Sequence, residues 1–224
     1  MRNGQARFQK QKDRIRKRLP KYTRKAFRML PQLDKPRILD VGCGSGVPAM
    51  ELARLCNGEI TGLDINEGLL NILRRKIEKT RSSERVRAVK ASILNMEFPD
   101  GSFDIIWSEG SIFAIGFERG LREWKRFLKP NGFIVVHDEK GNIEDKLKQI
   151  SGCGYELVGY FVLTEDVWWA EYFTPLEELI NESRIKHADD PQVLEELQNA
   201  QRELDMFQKN PQLNSSVFLT IKKC

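Results

Sequence analysis

Asp40-Val-Gly-Cys-Gly-Ser-Gly46 combines one carboxylate with three glycines in a GxGxG spacing. The run follows a short apolar segment and opens a helical one, the context that a ligand-binding glycine turn requires. Gly42, Gly44 and Gly46 permit a tight turn and let a ligand approach the backbone. A helix N-terminus behind such a turn favours negative charge by about 0.3–1 kcal/mol. Asp64 lies eighteen residues after Gly46, at the end of the next apolar segment. An acidic residue there can accept both hydroxyls of a ribose, or it can cap the following helix. Asp40 separates the candidate ligands, because its charge repels a pyrophosphate and attracts a cation. At 4 Å and an effective dielectric of about 20, that attraction is about 4 kcal/mol before desolvation. An adenosine joined to an ammonium, a sulfonium and a carboxylate fits this pattern, which is S-adenosylmethionine. A nicotinamide dinucleotide fits poorly, since its GxGxxG spacing is absent.

Three further residues have side chains suited to proton transfer: Glu109, His137 and Tyr172. Glu109 ends an apolar run, where it can act as a base or pair with an arginine such as Arg119. His137 ends another, beside Asp138 and Glu139. Strand C-terminal ends face the site in open α/β sheets, so His137 is a general base or a packed strand-end residue. Tyr172 belongs to an aromatic group with Trp168, Trp169 and Phe173, which reads as core packing or as a wall facing a substrate. No metal site is expected. The cysteines Cys43, Cys56, Cys153 and Cys224 form no CxxC, and His137 and His187 have no cysteine at zinc-ligand spacing.

The elements that hold these residues alternate. Residues 37–41, 59–64, 86–90, 103–108 and 133–137 read as strands, and residues 47–56, 66–79, 117–128 and 143–150 as helices between them, with a turn at 129–132. This order implies right-handed crossovers and a parallel sheet covered on both faces. Residues 155–163 and 216–222 add a sixth and a seventh strand, the last antiparallel. The expected fold is therefore α/β: a three-layer sandwich around a seven-stranded, mostly parallel, doubly wound sheet. Residues 166–212 form a helical insertion between strands six and seven, suited to a lid or a dimer surface. Leu176, Leu179 and Ile180, then Val193, Leu194, Leu197, Leu204 and Phe207, fall at helical spacing within it.

Ahead of the sheet lies an arm, residues 1–35. Phe8, Ile15, Leu19, Tyr22, Ala26, Leu30 and Leu33 give it one apolar stripe. Pro20 breaks it into two helices. Residues 1–37 carry fourteen Lys and Arg against two acidic residues, a charge of +12, whereas the rest of the 224-residue chain carries −7. The cations form the solvated face of the helices or a footprint for an anionic partner such as RNA. With 40% hydrophobic and 31% charged residues, the chain can bury a core. No apolar run is long enough to span a bilayer, and the N-terminus lacks the apolar region of a secretory signal. A cytoplasmic location without membrane association is the expectation.

The glycine turn resembles motif I of the class I S-adenosylmethionine-dependent methyltransferases. Gly62-Leu-Asp64, Phe103-Asp-Ile-Ile106 and Leu128-Lys-Pro-Asn-Gly-Phe133 resemble their later motifs, in the same order. Trp107-Ser-Glu-Gly110 with Gly116-Phe-Glu-Arg-Gly120 is similar to a smaller group near the ubiquinone/menaquinone-type enzymes. The resemblance covers about residues 36–165 and the final strand. It implies S-adenosylmethionine as cofactor, with Asp40, Gly42, Cys43, Gly44 and Gly46 at its methionine end. Asp64 would hold the ribose and Ile65 would pack on the adenine. Ser92 and Ile93 would lie near the adenine amino group, where the family often has an acid. Ser108 and Glu109 would border the methyl group. The implied function is methyl transfer to a small-molecule acceptor. The alternatives are an RNA methyltransferase using the arm, although an Asn-Pro-Pro-Tyr type run is absent, and a non-catalytic cofactor-binding module.

Overall fold

The computed structural model describes residues 3–80, 82, 84–186, 191–209 and 214–224. His187 lies outside them. A seven-stranded sheet runs through the molecule in the order β3-β2-β1-β4-β5-β7-β6. Its strands are β1 (Arg37–Val41), β2 (Glu59–Asp64), β3 (Val86–Lys90), β4 (Phe103–Glu109), β5 (Leu128–Glu139), β6 (Tyr155–Leu163) and β7 (Ser216–Lys223). The first five pair in parallel, and β7 is antiparallel to both β5 and β6. The expected architecture is the observed one.

Strand alternation sends successive side chains to opposite faces. Ile38, Ile60, Ile105, Trp107 and Val135 pack on one side against α2 (Pro20–Phe27), α3 (Val47–Leu55) and α4 (Glu67–Thr80). Leu39, Leu63, Ile106, Ile134 and Leu219 pack on the other against α5 (Phe117–Trp124) and α6 (Ile143–Gly152). Two boundaries differ from expectation by more than two residues. The helix read as 117–128 stops at Trp124 and tightens into a 3₁₀ turn, Lys125–Phe127. The residues read as a turn, 129–132, lie within β5, where Asn131 adopts a φ of 61° and supplies the bend without ending the strand.

The arm forms α1 (Asn3–Arg16) and α2, and Pro20 sits in the first turn of α2. The insertion forms α7 (Glu165–Trp168), a π-helical turn (Trp169–Phe173), α8 (Thr174–Lys186) and α9 (Pro191–Lys209). These two distant segments share a third core. Phe8 and Ile15 of α1 pack with Tyr172, Phe173, Leu176, Leu179, Leu197, Leu204 and Phe207. The two segments thus make one cap beside the C-terminal edge of the sheet.

Candidate functional site

The glycine turn leaves β1 and enters α3. Gly42, Gly44 and Gly46 all have positive φ, at 72°, 54° and 80°, which favours glycine in each place. Packing adds a second constraint at two of them. A Cβ on Gly42 would meet Ser111 Cβ at 2.4 Å, and one on Gly46 would meet Leu73 Cδ1 at 2.3 Å. Gly44 instead faces open space, its nearest such neighbour being 4.0 Å away. It is therefore the glycine that leaves room for a ligand.

Asp64 holds this turn in place. Its Oδ2 accepts the Gly44 N–H at 2.8 Å and its Oδ1 accepts the Asn66 N–H at 2.8 Å. Each oxygen keeps a lone pair, so the carboxylate anchors the turn and can still accept ribose hydroxyls. The Leu69 N–H donates to Asn66 Oδ1, so Asn66 and not Asp64 caps α4. Ile65 follows with 68% of its surface exposed, an apolar side chain uncovered at the rim of the sheet. Across the edge, Ser92 closes a short loop by accepting the Leu94 N–H. Ile93 packs toward the core, and Leu94 is the exposed apolar residue of that loop.

Asp40 is buried, at 1% exposure, and its Oδ2 has no hydrogen-bond partner. Burial raises its pKa well above the usual carboxylate range, and the charges of Glu109 and Asp64 raise it further, against the Ala49 backbone N–H. A buried carboxylate oxygen without a donor is costly, and a ligand ammonium would satisfy it. The donor set therefore fits the methionine end of S-adenosylmethionine. Cys43 is buried, and its thiol is pushed far up by desolvation, so it packs and does not react.

Glu109 emerges at the end of β4. Its Oε1 accepts Thr23 Oγ1 at 2.8 Å and Trp107 Nε1 at 2.8 Å. Burial pushes its pKa up to about 7, against those two donors. Arg119 does not pair with it and instead binds Glu123. Ser108 is fully buried, sharing a 2.7 Å hydrogen bond with Ser111, whose hydroxyl donates to the Val41 carbonyl. It thus braces the turn from behind and does not line the cavity. His137 bonds Ser216 Oγ at 2.8 Å and stacks between Trp168 and Phe218. Burial lowers its pKa to about 4, which keeps the ring neutral at pH 7. Tyr172 is buried in the cap, donates to Glu203 Oε1 at 2.9 Å, and has its pKa raised chiefly by desolvation.

A cavity of about 390 Å³ joins these parts. Gly42–Ser45 and Glu109 line one wall, His137, Trp168 and Phe218 a second, and Arg16, Tyr22, Thr23 and Tyr172 the cap side. Asp40 and Gly46 lie behind the lining residues of the turn, and Asp64, Ile65, Ser92 and Ile93 also stand outside the cavity. The aromatic group divides: Trp168 and Tyr172 line the cavity, while Trp169 and Phe173 stack on Phe207 within the cap. Sequence reasoning missed Arg16, Thr23 and Ser111.

The arm's charge also has a structural use. Asp13 is buried and accepts Gln9 at 3.0 Å, Ser45 Oγ at 2.7 Å and Lys76 at 2.6 Å. Lys12 binds Glu203 at 2.6 Å, Arg24 binds the buried Glu51 at 2.6 Å, and Lys21 binds Glu171. Several arm cations thus fasten α1 and α2 to the body and the insertion.

Residues 38–132 match a family model described as a methyltransferase domain. A sterol 24-C-methyltransferase of Gibberella zeae is 36% identical over 103 residues, 46% of this chain and 27% of the relative. The chain thus spans about a quarter of the length of such relatives. Over 92% of this chain and 91% of its own, a methyltransferase from Geobacter sulfurreducens in complex with S-adenosylhomocysteine has a similar fold, with a TM-score of 0.75 and 15% identity. The [4+2]-cyclase SpnF is similar over 91% of this chain and 80% of its own, with a TM-score of 0.73 and 20% identity. The fold is the Rossmann-like fold of the class I methyltransferases.

Proposed function

From a chain whose residues 38–132 match a methyltransferase-domain model, we propose a methyltransferase that uses S-adenosylmethionine and a small-molecule acceptor. The observation that carries this is the orphaned Asp40 oxygen inside the glycine turn, next to a ribose-competent Asp64. Asp40 and the turn would hold the methionine end, Asp64 the ribose, and Ile65 with the loop at Ser92 and Ile93 the adenine. When bound, the cofactor supplies a methyl group already activated on a sulfonium. The chain's remaining task is to orient the acceptor and remove water, which can contribute roughly 7–11 kcal/mol.

Among the three candidate bases, Glu109 has the best-matched acidity. A base works best near ambient pH, and Glu109 sits at about 7. Thr23 and Trp107 both hold one of its oxygens, which leaves the other for an acceptor proton. His137 and Tyr172 serve as walls, since burial suppresses the protonated form of one and the ionised form of the other. The cavity of about 390 Å³ suits a compact acceptor. The helices of the arm and α7, α8 and α9 of the insertion act as its lid. The inward use of Lys12, Lys21 and Arg24 removes part of the electrostatic footprint that an RNA acceptor would use.

A cytoplasmic location belongs to the same proposal, supported by four free cysteines. No helix among the described residues is long and apolar enough to cross a membrane. A second reading follows from the likeness to a [4+2]-cyclase: the fold binds the cofactor but catalyses another reaction or none. Incubation with methyl-labelled S-adenosylmethionine and a panel of small acceptors separates the two. Labelled product supports methyl transfer. Tight cofactor binding with no transfer to any acceptor supports the second reading.

A further inference from the structure

The cap places at the cavity a guanidinium that forms no ion pair with any carboxylate among the described residues. Arg16 ends α1 and lines the cavity opposite the glycine turn. Two carboxylates lie near enough to interact with it, Glu203 and Asp13. Both already hold other partners, and they act on Arg16 through their charge alone. Glu203 accepts Tyr172 on Oε1 and Lys12 on Oε2. Asp13 accepts Gln9 and Ser45 on Oδ1 and Lys76 on Oδ2. Among the described residues Arg16 has no ion pair, and besides Glu203 and Asp13 only the Tyr172 side chain acts on it.

The local charges make the same point. Lys12, Arg16 and Lys76 face Glu203 and Asp13, which leaves one positive charge, and Arg16 is the cation that borders the cavity. The guanidinium stays charged, because arginine does not lose its proton in a protein. A guanidinium presents five donors in a fixed fork that matches a carboxylate. Leaving those donors unmet in a confined site is costly, and an anionic ligand relieves the cost. Glu109 and Glu203 also line the cavity, and Glu203 is already held by Tyr172 and Lys12, so Arg16 is the cation left to meet an anionic ligand.

We infer that Arg16 is a carboxylate anchor inside the cavity, binding the carboxylate of the cofactor's methionine end or that of an acidic acceptor. The inference rests on the methyltransferase reading for the identity of its ligands. In both cases the cap supplies binding through a residue that lies outside the glycine turn and outside residues 38–132.

Calorimetry on the full chain tests this with wild type, Arg16→Gln and Arg16→Lys. The probes are S-adenosylhomocysteine, methylthioadenosine, which lacks the amino acid, and benzoate against benzamide on cofactor-loaded protein. If the cofactor supplies the carboxylate, Arg16→Gln weakens S-adenosylhomocysteine about 10- to 100-fold and leaves methylthioadenosine unchanged. If the acceptor supplies it, Arg16→Gln spares S-adenosylhomocysteine and abolishes benzoate binding, while benzamide is indifferent. Arg16→Lys keeps the charge and the stem but not the fork, and retains a larger share of the carboxylate affinity in either case. It also serves if the glutamine variant fails to fold. Wild-type affinity for every carboxylate in Arg16→Gln overturns the inference. So does an equal loss for methylthioadenosine and benzamide, which marks a packing role. If wild type binds neither adenosine probe, the methyltransferase reading fails on its own. Benzoate against benzamide on the unloaded protein then still decides the role of Arg16.

Discussion

The glycine turn and the cap face each other across one cavity but are assembled over very different chain distances. The turn is local: Asp40 to Gly46 lie on one strand-to-helix connection, and Asp64, which fixes them, ends the adjacent strand. The cap joins α1 to α8 and α9, which are separated by the whole sheet. The turn works through backbone N–H groups and carboxylates. The cap works through long side chains and aromatic rings. A common cofactor asks for a fixed local device, whereas acceptor choice is free to reside in segments that vary independently of the sheet.

The largest test of this division concerns the residue where the two regions meet. Glu109→Gln is expected to lower kcat about 10²–10⁴-fold where the acceptor must lose a proton, with S-adenosylhomocysteine affinity nearly unchanged in calorimetry. The base acts ionised, so wild-type kcat rises with pH through about 7, and that limb disappears in the variant. Next is Asp64→Ala, which removes the anchor of the turn and the proposed ribose acceptor together. Its S-adenosylhomocysteine affinity is expected to fall about 100-fold or more. A retained affinity would mean that the turn does not depend on Asp64.

Asp13→Ala attacks the latch between the regions. It leaves Lys76 and Ser45 without their shared partner and is expected to cost about 1–3 kcal/mol, seen as a lower melting temperature and faster proteolysis of the arm. An arm as protected as in wild type would show that apolar packing alone seats α1. A smaller effect belongs to His137. Its pKa is lowered from 6.5 to about 4 by burial, so the unfolded chain takes up the proton first as pH falls. Stability is therefore lost as pH drops below about 6.5, at most about 1.4 kcal/mol per unit. His137→Gln should flatten that slope in denaturant titrations. Arg119→Ala breaks only an exposed pair with Glu123 and should change stability by less than about 0.5 kcal/mol.

The same division explains what was legible in the sequence. The alternation of strands and helices, the antiparallel last strand and the glycine turn are carried by spacing over a few residues, so they could be read directly. The end of α5 could not, because a 3₁₀ turn satisfies the same apolar pattern for three more residues. Nor could the strand at 129–132, because Asn131 bends it without breaking it. One partner of Glu109 was invisible for a different reason. Thr23 lies 86 residues away and reaches Glu109 only once α2 has docked. Asp13 did leave a trace as one of two acidic residues among fourteen cations in residues 1–37. A lone acid in a basic helix is a candidate for burial. Its partners Ser45 and Lys76, 32 and 63 residues away, follow only from the fold.

The central claim is that the turn around Asp40 binds the adenosine, ammonium and sulfur-bearing skeleton of S-adenosylmethionine. Calorimetric titration of the full chain with S-adenosylhomocysteine, with NAD as the control, tests it most directly. We expect saturable binding of the former and none of the latter. Binding of NAD, or no binding of S-adenosylhomocysteine to the full chain and to a form lacking residues 1–35, would contradict it.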